Sequence, residues 1–190
     1  MLTKPKRVTR RRARRSGAAS GPTVRRCCEH GGPPVVRALR PEGRLALLAP
    51  RFRDAVVAAL AECRELGLEV QVYETYRSAA LQAQYWARGR TVKPPLRPVT
   101  NARDHLESWH GFGLAVDVIH ARLGWGAGRG WYSRVAAVFA RHGCVWGGAW
   151  QQADLPHFQW GRCRVSPSSR AREVYARGGM AAVWGEVGAG

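Results

Sequence analysis

Over residues 51–66 the apolar side chains Phe52, Val56, Ala59, Leu60, Cys63 and Leu66 recur every three or four positions, and Gly67 ends the run. That spacing lays them on one face and predicts an amphipathic helix. Residues 68–75 (LEVQVYET) alternate apolar and polar positions and are rich in β-formers, which predicts a strand. A second helix is expected over 78–88, with Ser78 as its N-cap and Gly89 as its stop. Pro94, Pro95 and Pro98 mark a loop, and residues 114–119 read as a short apolar strand. A glycine-rich turn over 124–130 leads into an amphipathic helix over 132–141. Residues 145–146 and 157–160 read as short strands on either side of a polar loop. The last helix is expected over 167–176, followed by an apolar patch at 180–184. Strands and helices in mixed order, with short links and no internal repeat, predict an α+β fold: a small antiparallel sheet flanked by helices.

Charge changes this picture at the N-terminus. The net charge is +18, and residues 1–44 hold 13 Lys/Arg against Glu29 and Glu42, a local balance of +11. This stretch is rich in Arg, Gly, Pro and Ser without apolar periodicity, so a disordered basic tail is expected. One reading makes it a tether to nucleic acid or to an anionic wall polymer. The other, which the composition favours, makes it a solvated extension or the product of a start codon placed too far upstream. The chain of 190 residues then divides into this tail, a domain over 45–165 and a helical tail over 166–190.

The five cysteines (Cys27, Cys28, Cys63, Cys144 and Cys163) are odd in number and include an adjacent pair, so reduced thiols are expected rather than a disulfide framework. Cys27-Cys28-Glu29-His30 contains ligand types, but adjacent cysteines rarely close a metal tetrahedron. No segment approaches the roughly 18 apolar residues of a membrane span. Residues 16–24 are too polar for the core of a signal peptide, which predicts cytoplasmic synthesis without a leader.

Two short segments carry the candidate chemistry. Residues 108–117 (SWHGFGLAVD) contain His110 and Asp117, and residues 154–159 (DLPHFQ) contain Asp154 and His157. Two imidazoles and a carboxylate can hold a catalytic zinc and leave a fourth position open to water. Asp154, three residues before His157, can then serve as general base. Taken singly, each residue has a plainer reading. A histidine beside an apolar strand is commonly a core or surface residue, Asp154 can start a turn, and Asp117 can pair with Arg103 or Arg122. A carboxylate between Val116 and Val118 is nevertheless costly to bury unless it is paired or metal-bound.

In this order and spacing the two segments resemble the signature of the M15 zinc peptidases, the D-alanyl-D-alanine carboxypeptidase and L-alanyl-D-glutamate endopeptidase group. That signature, S-x-H-x-x-G-x-A-x-D followed by a carboxylate-x-x-H, is met at Ser108, His110, Gly113, Ala115, Asp117, Asp154 and His157. Tyr76-Arg77-Ser78 with Gln82, Gly89-Arg90-Thr91, residues 99–103 and Trp146-Gly147-Gly148 are similar to the endopeptidase branch, which includes many phage endolysins. The resemblance implies a Hedgehog/D,D-peptidase-like fold with Zn2+ on the sheet, bound by His110, Asp117 and His157, with Asp154 as base. It further implies that Arg77 polarises the scissile carbonyl or holds a substrate carboxylate, where the plainer reading is a surface salt bridge to Glu74. Ser108 and Gln82 would line the substrate site.

The implied substrate is the peptidoglycan stem peptide, cut by a monomer released to the wall after synthesis. A D-alanyl-D-alanine carboxypeptidase is the alternative, and a non-catalytic wall-binding or nucleic-acid-binding protein is the alternative of another class. Two departures stand out. The link to Ser108 contains His105 and Glu107, expected as exposed loop residues, and Ala149 replaces the usual acid after Trp146-Gly147-Gly148.

Overall fold

Phe52, Val56, Ala59 and Cys63 form a fully buried stripe along α1 (Pro50–Glu65), which lies against α3 (Arg129–Arg141). Leu66, expected on the same face, falls just beyond the helix end and is 58% exposed. The structure, a computed structural model, describes residues 39–190. Most of the expected tail, and the Cys27-Cys28-Glu29-His30 group, lie outside the described residues. Residues 39–44 run against the body: the Leu39 main chain exchanges hydrogen bonds with the Gln84 amide, and Thr75 donates to Glu42 O.

Four strands, β1 (Val70–Glu74), β2 (Ala115–His120), β3 (Cys144–Trp146) and β4 (His157–Trp160), pair antiparallel in the order β1-β2-β4-β3. α2 (Ala79–Ala87) follows β1 and begins at Ser78, whose hydroxyl accepts from Leu81 N as an N-cap does. One sheet face buries Val116, Val118 and Phe158, with the Phe139 and Phe158 ring centroids 4.4 Å apart. Rings buried this completely contribute on the order of 1.5–3 kcal/mol each. Cys63, Cys144 and Cys163 are buried free thiols, with burial pushing Cys144 and Cys163 up to about 12.

At the C-terminus the expected helix is present and the apolar patch after it is helical as well: the segment α4 (Ser169–Glu186) is broken at Gly178 and Gly179, whose backbone is not helical. Val174 and Val183 enter the core, Tyr175 packs edge-on against Phe112 at 5.7 Å, and Trp184 Nε1 donates to Phe112 O. α4 thereby braces the turn that carries His110.

Candidate active site

Glu74 on β1, Asp117 on β2 and His157 on β4 are register partners, so they form a row across three adjacent strands. Side chains alternate between sheet faces, and with Val116, Val118 and Phe158 in the core the row lies on the opposite face. His110 arrives from outside the sheet, on the 3-10 turn Trp109–Phe112. That turn ends at Gly113, whose φ of 64° lies in the left-handed region, and a Cβ there would sit 2.5 Å from Leu47 O. Gly113→Ala should therefore destabilise the fold by about 1–3 kcal/mol, read as a lowered melting temperature.

Outer hydrogen bonds fix both imidazoles. His110 Nδ1 lies 2.7 Å from Thr75 O, which can only accept, so Nδ1 carries the proton. The Gln159 amide donates to Cys163 O and Arg164 O, which turns Oε1 toward His157 Nε2 at 3.2 Å and makes that nitrogen the donor. In neutral rings the inner nitrogens are then bare lone pairs: His110 Nε2 and His157 Nδ1 face each other at 3.2 Å. Asp117 Oδ1 is 3.2 and 3.3 Å from them. Three electron-rich atoms at this separation repel one another unless a cation lies between them. Their ligand atoms all fall within 4.8 Å of one another, and the outer carbonyls are the orienting partners that metal-bound histidines use. The donor set therefore fits a metal ion. Burial pushes the Asp117 carboxyl up, but His110 and then His157 outweigh it and hold it well below the usual carboxylate range. For His157 the balance favours the proton: burial lowers its pKa, and Asp117 more than restores it. The pocket attracts positive charge.

Residues 101–160, which contain all three of these side chains and Asp154, match the family model described as D-alanyl-D-alanine carboxypeptidase, an M15 family. Over that span the chain is similar to the M15 peptidases. That match and the donor set together support a zinc-dependent peptidase. Among curated proteins, none matches the chain. Solved structures similar to it include the Serratia marcescens L-Ala D-Glu endopeptidase ChiX, at 27% identity and TM-score 0.46, covering 65% of this chain and 87% of that one. The LD-carboxypeptidase LdcB is 12% identical with TM-score 0.42, covering 68% of this chain and 64% of that one. A mutant of the vancomycin-resistance D,D-pentapeptidase VanY in complex with Zn(II) is 15% identical with TM-score 0.42, covering 70% and 81%.

The row opens into a cleft of about 890 Å³, lined also by Arg77, Ser108 and Asp154. Asp154 is exposed to the cleft; crowding by protein, then the charge of Asp117, push its carboxyl above the usual aspartate range. Arg77 does pair with Glu74, but the bridge is buried rather than superficial: Nε and Nη2 donate to the two Glu74 oxygens at 3.0 and 2.6 Å. Its Nη1 donates to Gln82 Oε1, and Nη2 stands 3.7 Å from Asp117 Oδ2. Gln82 has no exposed surface, and its amide is used at both ends, on Arg77 and on Ala102 O. It reaches the cleft only through Arg77.

Neither Arg103 nor Arg122 pairs with Asp117; Arg122 binds Glu69 at 2.6 Å instead. His105 and Glu107 are half-buried rather than exposed, and Glu107 lines the cleft with Oε2 accepting from Arg103 N. Trp109 and Trp150 also line it, whereas Phe112 and Phe158 are core residues. Ala149 is exposed, next to Gly148, whose carbonyl accepts from Arg129.

Glu74, Gln159, Tyr73, Tyr85, Arg88 and Trp125 belong to the same cleft and were not expected from the sequence. For two of them a signal was present. Gln159 stands two positions after His157 on a strand, so the two share a face, and Glu74 sits three residues before Arg77.

Proposed function

We propose that this M15 peptidase hydrolyses the peptide stems of peptidoglycan, with His110, Asp117 and His157 holding zinc and Asp154 carrying the proton. The observation behind this reading is the buried meeting of two lone-pair nitrogens and one carboxylate oxygen, with Asp154 on the wall of the same cleft. Zinc at this point supplies a Lewis acid that polarises a carbonyl and acidifies water. Asp154, with its raised proton affinity, suits taking a proton from the attacking water and returning it to the departing amine. Arg77, held by Glu74 and Gln82, is a fixed positive charge suited to the negative charge that develops on the carbonyl oxygen. Ser108 lines the cleft and is assigned to substrate contact.

The bond we favour is L-alanyl-D-glutamate. Tyr76-Arg77-Ser78, Gly89-Arg90-Thr91 and Trp146-Gly147-Gly148 resemble the endopeptidase branch, and a cleft of about 890 Å³ has room for chain on both sides of the bond. Action as a phage-type lysin accords with that branch. The description of the matching family favours the alternative, removal of a terminal D-alanine. Mass spectrometry of purified wall digested by the zinc-loaded protein separates the two: new L-alanine ends for the endopeptidase, loss of one D-alanine for the carboxypeptidase. No change in any stem would overturn the peptidoglycan reading.

A further inference from the structure

Apart from His157, two side chains on the cleft wall can carry positive charge, Arg77 and Arg88. The first is committed. Glu74 takes two of its donors and Gln82 a third, and Asp117 lies close to a fourth, so little of its fork is left for a ligand. The second is not. Arg88 is exposed, and among the described residues no carboxylate lies within 4.0 Å of its side chain and no side-chain hydrogen bond engages it.

Its main chain, by contrast, is held. Arg88 caps the C-terminus of α2, its N–H donates to Gln84 O and Tyr85 O, and it bridges to Val92. Tyr85 precedes it by three residues, so both side chains lie on the face of α2 turned to the cleft. Arg77 stacks on the Tyr85 ring at 4.9 Å, and the charge of Arg88 acts on the Tyr73 phenol, whose pKa burial has raised. Tyr73 in turn packs edge-on with Trp125 at 4.6 Å. This wall is therefore aromatic, with one unspent guanidinium at its edge.

The remaining charges in the cleft are negative: Glu107, Asp117 and Asp154 beside the paired Glu74. Away from the metal site, a substrate carboxylate entering here finds in Arg88 a lining cation whose donors are unspent, and its planar fork can take the carboxylate bidentately. We propose that Arg88 binds a substrate carboxylate flanking the scissile amide and makes the cleft prefer the free acid over its carboxamide. This rests on the peptidoglycan reading above, since stem peptides offer two such groups, the α-carboxylate of D-glutamate and the terminal carboxylate of D-alanine.

The test uses two matched pairs of synthetic stem peptides. One pair carries D-glutamate as the α-acid or the α-amide; the other ends in D-alanyl-D-alanine as the free acid or the amide. Whichever pair contains the bond that is cut identifies the carboxylate. The wild-type enzyme should cut the acid with kcat/KM about tenfold or more above the amide, the scale of one charge-assisted hydrogen bond. In R88A the ratio should fall to about one, through KM for the acid, and R88K should recover part of it. Circular dichroism and zinc content of R88A should match wild type, because the side chain it removes is exposed. Equal rates on acid and amide by the wild type, or an equal loss on both in R88A, would overturn the inference alone. Failure of the wild type to cut either pair or any bond in purified wall would overturn the peptidoglycan reading, and this inference with it.

Discussion

Replacing His157 with alanine should remove zinc and peptidase activity together while leaving a folded protein. His157 supplies one of three donor atoms, and its departure leaves His110 and Asp117 to hold a dication from one side only. Two ligands cannot enforce the tetrahedral arrangement with one open position that the chemistry needs. Zinc content should fall from one equivalent to near none at micromolar metal, and kcat/KM on wall substrate should drop by about 10³-fold or more, some 4 kcal/mol of transition-state stabilisation. Gln159→Ala should act in the same direction but less, about 10–100-fold in zinc affinity, since it removes only the carbonyl that orients the His157 ring. Metal analysis with a competing chelator reads both. A His157→Ala protein that still holds a full equivalent of zinc would remove His157 from the ligand set.

Asp154→Asn should separate chemistry from metal. Asparagine matches aspartate in shape but neither accepts a proton at neutral pH nor returns one. Loss of a positioned general base costs about 10²–10⁴-fold in rate. Zinc should stay at one equivalent and the melting temperature near that of wild type, because Asp154 faces cleft water and is not one of the three converging groups. The pH profile carries a second signature. The base must be ionised, so activity falls as pH drops through its pKa. Desolvation by the protein around the cleft and the Asp117 charge raise that pKa, which moves the acid limb above the ordinary aspartate range. Bound zinc would offset the charge of Asp117 but not the desolvation. The acid limb should vanish from the residual activity of Asp154→Asn. Activity within threefold of wild type would show that another group carries the proton.

Some of this was legible in the residues and some was not. The stripe Phe52, Val56, Ala59 and Cys63 announced α1 because a helix repeats its face every 3.6 residues, whatever it packs against. Leu66 obeyed the same period and still fell outside, since the helix ends at Glu65 and Leu66 is its non-helical C-cap. The helical state of the 180–184 patch was missed because the break at Gly178 and Gly179 leaves it too short to show a period, and contacts of Val183 and Trp184 with the core and with Phe112 hold it. His110, Asp117 and His157 stood out by residue type and spacing. Gln82 stood out equally and proved to be interior, with its amide consumed by Arg77 and Ala102.

What the sequence determined by itself was local: helical and strand periods, the Ser78 cap, and a set of donors suited to zinc. Tertiary structure alone decided which groups meet. Cross-strand register set Glu74, Asp117 and His157 in one row, and that pairing depends on strands more than 30 residues apart. The same packing spent Arg77 on Glu74 and left Arg88 free. A side chain's partners are fixed by distance in space and by what else competes for its donors, and neither is written in the order of residues.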